Sequence, residues 1–127
     1  MKTKADSAVL YVDDEEANLF LLKVNLQPKY KVFTAISGME ALEILDKHKE
    51  DIQLVITDMR MPKMNGVQFI QKARETHDDI PYFVLTGFDY NDEINAAIEA
   101  RLIDKFFTKP YELRDVETAI AEAIRDD

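Results

Sequence analysis

Four places in this chain carry groups suited to phosphate or metal chemistry, and each stands at the end of a short apolar run. Asp13 and Asp14, with Glu15 and Glu16 behind them, follow Ala8 to Val12. Asp58 follows Ile52 to Thr57, Thr86 closes the run from Tyr82, and Lys109-Pro110 follows Lys105 to Thr108. Asp13, Asp14 and Asp58 gathered at one point would repel one another and favour protonation unless a cation neutralised them. A hard divalent ion with oxygen ligands meets that need, and Mg²⁺ suits a partly hydrated shell with few carboxylates. Thr86 precedes Gly87, where backbone can approach a ligand closely, so its hydroxyl is placed to bond an anion. Beside such a cluster the Lys109 ammonium is a point-charge partner for phosphate oxygens. Pro110 biases Lys109 toward extended geometry and admits a cis bond.

Taken singly, each of these residues has a plainer meaning. Acidic residues after a strand commonly cap the next helix and favour its dipole, which is the expected work of Glu15 and Glu16. Thr is an ordinary strand residue, Lys109 alone is a solvated cation, and Gly66 in Met61-Pro62-Lys63-Met64-Asn65-Gly66 reads as a turn. Convergence is what changes the reading, and convergence depends on the elements that carry these residues.

The runs Ala8 to Val12, Lys31 to Ala35, Ile52 to Thr57, Tyr82 to Thr86 and Lys105 to Thr108 read as strands. Each is followed by a stretch of helical period. In the first, Ala17, Phe20, Leu21 and Val24 form an i, i+3, i+4, i+7 series, predicting the buried face. Ser37 is the expected N-cap of the second, with Ala41, Leu42 and Leu45 inward. The third carries Val67, Phe69, Ile70 and Ala73, the fourth Ile94, Ala97 and Ile98, and the fifth Leu113, Val116, Ile120 and Ile124. Strand and helix in alternation predict an α/β fold with a five-stranded parallel sheet and helices on both faces, doubly wound and flavodoxin-like. Near-continuous apolar strands suit the sheet centre, whereas Lys31 to Ala35 is mixed and suits an edge. In the strand order 2-1-3-4-5, the first and third strands are central neighbours, and ligands bind beyond their carboxyl ends. That order brings Asp13, Asp14 and Asp58 together, with Thr86 and Lys109 alongside.

With 127 residues the chain is expected to be one domain, residues 1–127 with a core over about 7–125. Apolar residues at 46% and charged residues at 32% fit a folded, soluble chain. The balance of 25 acidic against 16 basic residues, a net charge of -9, disfavours direct nucleic acid binding. There is no Cys to form a thiolate site, and His48 and His77 stand in no metal-ligand spacing. Neither a membrane span nor a secretory signal is legible, so a cytoplasmic location is expected.

The set Val12-Asp13-Asp14-Glu15, Thr57-Asp58-Met59-Arg60-Met61-Pro62-Lys63-Met64-Asn65-Gly66, Leu85-Thr86-Gly87 and Phe107-Thr108-Lys109-Pro110 resembles the receiver domain of two-component response regulators. The resemblance spans nearly the whole chain in order and spacing. It implies that Asp58 accepts a phosphoryl group from a histidine kinase or histidine phosphotransfer protein. It further implies that Asp14 contacts Mg²⁺ directly, Asp13 acts through a water, and the Arg60 backbone carbonyl supplies another ligand. Thr86 and Lys109 would bind the phosphoryl oxygens. Thr86 and Phe106 would form the switch, moving the face of the fourth helix, fifth strand and fifth helix, through which the protein could form a homodimer. Asn65 stands where Asp is common in the family. Phe88, two residues beyond Thr86, is expected to hinder the attacking water and lengthen the phosphorylated lifetime.

Three other functions compete. A Mg²⁺-dependent phosphohydrolase resembling the haloacid dehalogenases would carry an Asp-x-Asp pair, whereas this pair is adjacent and the chain leaves little room for a cap. A flavodoxin-type carrier needs a phosphate cradle after the first strand, where Asp13 to Glu16 would repel phosphate. A docking module without phosphorylation has no need of the complete acidic, Thr and Lys set. No G-x-x-x-x-G-K-[ST] loop or H-E-x-x-H helix is present.

Overall fold

Strands β1 (Ala8–Val12), β2 (Lys31–Ala35), β3 (Ile52–Asp58), β4 (Tyr82–Thr86) and β5 (Lys105–Thr108) alternate with helices α1 (Glu16–Leu26), α2 (Gly38–Lys47), α3 (Gly66–Arg74), α4 (Asp92–Glu99) and α5 (Leu113–Ala123). The computed structural model describes residues 7–87 and 92–124. The five strands are parallel in the order β2-β1-β3-β4-β5. Both edge strands are the mixed ones, while β1 and β4 are buried along their whole length. β3 runs one residue beyond the expected end, because Asp58 itself still pairs with Leu85.

Strand side chains alternate between faces, and each face builds its own core. On one side Leu10, Val12, Val55, Tyr82 and Val84 meet α2, α3 and α4 through Ala41, Leu45, Phe69, Ile70, Ile94 and Ala97. On the other, Val9, Tyr11, Leu54, Ile56, Phe83 and Leu85 meet α1 and α5 through Leu19, Leu22, Leu26, Val116 and Ile120. Ser37 caps α2 as expected, its hydroxyl accepting from the Glu40 amide at 3.1 Å. The sheet end remote from the acidic residues is tied by Arg74. Its guanidinium donates to the Leu102 carbonyl at 3.0 Å and to Asp104 at 2.9 Å, and lies 4.7 Å over the Tyr82 ring.

The inward face expected for α1 is corrected. Ala17, Phe20, Leu21 and Val24 point outward, with Phe20 66% exposed, and the buried residues are Leu19, Leu22 and Leu26. The helix is apolar nearly all round, so two overlapping i, i+3, i+4 series satisfy the same period. Packing against Tyr11, Leu54 and α5 selects one of them, and local periodicity cannot. The rejected series remains as an apolar stripe on a helix that begins two residues after Asp14.

Candidate functional site

β1 and β3 are neighbours in register, Val12 opposite Thr57. The next residue on each strand, Asp13 and Asp58, therefore emerges at the same edge. Backbone bonds hold that edge: Asp13 N–H to Ala35 O at 3.1 Å, Met59 N–H to Leu85 O at 3.0 Å, and Lys109 N–H to Thr86 O at 2.7 Å. Asp13 is wholly buried, Asp58 is 6% exposed, and Asp14 is exposed. One carboxylate oxygen from each lies within 4.8 Å of the others. The donor set is all oxygen, two donors fixed by burial and one open to water, which fits a small hard cation that keeps part of its hydration shell.

The Lys109 ammonium donates to Asp58 Oδ1 at 3.1 Å. The peptide bond to Pro110 is cis. Burial pushes the Asp58 carboxyl above its ordinary range. Lys109 pulls it back through hydrogen bond and charge, Asp13 pushes it up again, and the net displacement is upward. For Lys109, burial works downward but the bond and charge of Asp58, with Asp13 behind, outweigh it, and the ammonium is held above its ordinary value. The two shifts are not mirror images, because one ammonium faces two buried carboxylates.

The direction at Asp58 has a consequence for stability. A carboxyl raised in the folded state is most favourable when protonated, so its contribution is present at low pH and lost as pH rises through the folded value. At neutral pH, without metal, ionised Asp58 opposes folding. Asp58→Asn should therefore melt above wild type at pH 7 in chelator. The gap should close on acidification toward the ordinary carboxylate value of 3.8, and Mg²⁺ should stabilise wild type more than the variant. Thermal melts across pH check this, and a gap indifferent to pH would contradict it.

Thr86 is buried at the end of β4, and Thr86 and Phe106 lie on the same face of the sheet. Phe106 is partly buried against the core beneath α2, α3 and α4. Arg60 is exposed and, with Asp14, Met61, Pro62 and Asn65, lines a cleft of about 320 Å³ at the acidic edge. That volume accommodates several water-sized groups, each of roughly 30 Å³. Glu15 occupies the N-cap position of α1 without a side-chain cap bond, so the capping expected of it is not seen. Phe88 lies outside the described residues.

Gly66 is more than a turn residue. It opens α3 behind the Asn65 capping box, and its amide donates to Met59 O at 2.8 Å. A Cβ there would lie 2.6 Å from the Asp58 carbonyl oxygen and 3.1 Å from Met59 Cα. The obstacle is backbone, so the loop itself must shift. Gly66→Ala is expected to cost about 1–3 kcal/mol by overpacking, despite the better helix propensity of Ala. A melting temperature within a degree of wild type would contradict the close approach.

Two aromatic residues at this edge escaped the sequence reading. The Tyr11 hydroxyl donates to Asp13 Oδ2 at 2.6 Å, while Asp13 Oδ1 accepts from the Glu15 amide at 2.9 Å. Tyr111 is close enough to Lys109, Asp13 and Asp58 to feel their charges, and burial with the two carboxylates raises its hydroxyl above the ordinary value. The legible signal for Tyr11 was its place two residues before Asp13 on one strand, which puts both side chains on the same face.

Residues 9–121 match the response regulator receiver domain family. The chain is 33% identical to the alkaline phosphatase synthesis transcriptional regulatory protein PhoP of Bacillus subtilis, over 92% of this chain and 48% of that protein. It is 32% identical to the sensor kinase CckA of Brucella abortus, over 93% of this chain and 12% of that protein. It thus spans about half or less of the length of these relatives. A response regulator receiver domain protein from Clostridium thermocellum superposes with a TM-score of 0.83 at 30% identity, covering 93% of this chain and 94% of that one.

Proposed function

We propose that this chain, which belongs to the response regulator receiver domain family, takes its phosphoryl group on Asp58. As a receiver domain of the two-component type it is a phosphoryl-accepting switch. One observation carries the choice of residue. Asp58 is the carboxylate buried at the strand edge that is both within 4.8 Å of two further acidic oxygens and paired with an ammonium at 3.1 Å. A nucleophile between a cation site and a lysine can attack phosphorus while the charge on the transferring oxygens is offset.

Asp13, Asp14 and Asp58 would hold Mg²⁺, with the Arg60 carbonyl as a further oxygen donor. Bound there, the ion would neutralise phosphoryl charge and orient the group for in-line attack. Asp58 supplies the oxygen that forms the new O–P bond as the P–N bond of a donor phosphohistidine breaks, and the departing imidazole takes a proton. The product is a mixed anhydride. Lys109, at Asp58 Oδ1, is placed to turn its ammonium to the incoming phosphoryl oxygens. Thr86, one residue beyond the Leu85 that pairs with Asp58, would bring its hydroxyl to the same oxygens.

The donor is a histidine kinase or histidine phosphotransfer protein, and the outward apolar stripe of α1 offers it a surface beside the acidic edge. Movement of Thr86 toward the phosphoryl group would free space on the sheet face it shares with Phe106. The Phe106 ring, lacking a hydroxyl, would follow by packing alone. The face of α4, β5 and α5 would carry the signal, including to a second copy of the chain. A phosphohydrolase finds no support in this site, and turnover separates the two functions. Incubation with acetyl phosphate and Mg²⁺ should load one phosphoryl group per chain, chelation should prevent loading, and phosphate monoesters should not be turned over repeatedly. Loading in the presence of chelator, or sustained monoester hydrolysis, would overturn this reading.

A further inference from the structure

The alternation of β1 places Tyr11 and Asp13 on the sheet face beneath α1 and α5. Tyr11 is 1% exposed, among Val9, Leu22, Phe83 and Ile120. Core packing accounts for the ring but not for the hydroxyl, since phenylalanine would fill nearly the same volume. A buried phenol needs a hydrogen-bond partner, and this one donates to Asp13 Oδ2 at 2.6 Å. The other oxygen, Oδ1, accepts from the Glu15 amide at 2.9 Å. Two donors approaching from different elements, a side chain of β1 and the backbone entering α1, fix the carboxylate plane. Each oxygen keeps a second lone pair for other partners.

We propose that Tyr11 is a positioning residue of the Mg²⁺ site, its hydroxyl holding the Asp13 carboxylate in the orientation that receives the hydrated cation. This rests on the Mg²⁺ reading given above. Tyr11 touches neither metal nor phosphoryl group and acts through Asp13.

Two effects oppose each other. Donation draws charge from Asp13 and weakens its pull on a cation, while fixed orientation strengthens binding. Orientation dominates because Asp13 is wholly buried and, in the water-mediated role that the family resemblance implies, would depend on direction more than on charge. Partners that orient a metal-binding side chain typically contribute about 10–100-fold in affinity. The lower end applies here, because the Glu15 amide still holds Oδ1.

The test is calorimetric titration with Mg²⁺, together with the rate of acetyl phosphate labelling across Mg²⁺ concentrations. For Tyr11→Phe, the dissociation constant and the half-saturating Mg²⁺ should both rise about tenfold. The labelling rate at saturating Mg²⁺ should stay within about twofold of wild type, since the reacting groups are untouched. Tyr11→Met, which also fills space without a donor, should share the loss. Unchanged or tighter Mg²⁺ binding in either variant overturns the proposal. So does a rate lost at saturating Mg²⁺ with half-saturation unmoved, which would mark a merely structural role. If wild type binds no Mg²⁺, the metal reading itself falls. If wild type binds and the variants bind equally, only the role of Tyr11 falls.

Discussion

Lys109→Met should slow phosphorylation of Asp58 by acetyl phosphate about 10²–10³-fold, the usual effect of removing one donor to developing oxyanion charge. Methionine keeps the length and apolar stem of lysine, so the change isolates the ammonium. That ammonium sits 3.1 Å from Asp58 Oδ1, and its loss acts twice. Burial and Asp13 already push the Asp58 carboxyl upward, and without Lys109 only the backbone hydrogen bond at Met59 and a bound cation would draw it back. The transferring oxygens would also lose their one-atom positive partner. Mg²⁺ binding should be no weaker, because Lys109 repels a cation entering between the same carboxylates. Lys109→Arg retains the charge but with a planar fork in place of a point, and should recover only part of the rate. Intact-mass time courses measure the rate and calorimetry the affinity. The two variants at this edge thus have opposite signatures: Tyr11→Phe shifts the Mg²⁺ requirement and spares the saturated rate, whereas Lys109→Met spares the requirement and loses the rate. A Lys109→Met rate within about threefold of wild type would mean that the ammonium serves only to pair Asp58.

Much of this arrangement is legible in the residues because parallel α/β order converts strand ends into neighbours. Once Asp13, Asp58, Thr86 and Lys109 are each assigned to a strand end, the order β2-β1-β3-β4-β5 does the rest. Strand identity was readable for a physical reason. Segments buried on both faces, such as Tyr82 to Thr86, are continuously apolar, and edges such as Lys31 to Ala35 are not. Helices with one apolar stripe, such as α3 with Val67, Phe69, Ile70 and Ala73 buried, were equally plain.

What was not legible is what depends on contacts between elements. In α1 the buried face is not set by its own residues, since Leu19, Leu22 and Leu26 compete with Phe20, Leu21 and Val24 on equal terms until the sheet and α5 are present. Gly66 looked like a turn glycine, but its φ is not positive, and its smallness is required by the Asp58 carbonyl 2.6 Å from where a Cβ would stand. The left-handed backbone of Lys63, φ 70°, lies in the same loop and has no signature in its own residue type. Tyr11 looked like one more apolar strand residue because its hydroxyl partner is decided by sheet alternation rather than by composition.

The identity of the acceptor is where the functional reading is most exposed, and Asp58→Asn tests it with the largest effect expected of any single change. Asn keeps the shape of the side chain and its place beside Lys109 but removes the nucleophilic carboxylate, so formation of the mixed anhydride should cease rather than slow. The direct measurement is intact mass after incubation with acetyl phosphate and Mg²⁺. Wild type should gain one phosphoryl group and Asp58→Asn none, with the variant still folded and melting above wild type in chelator. A phosphoryl adduct that forms on Asp58→Asn at the wild-type rate would contradict Asp58 as the acceptor.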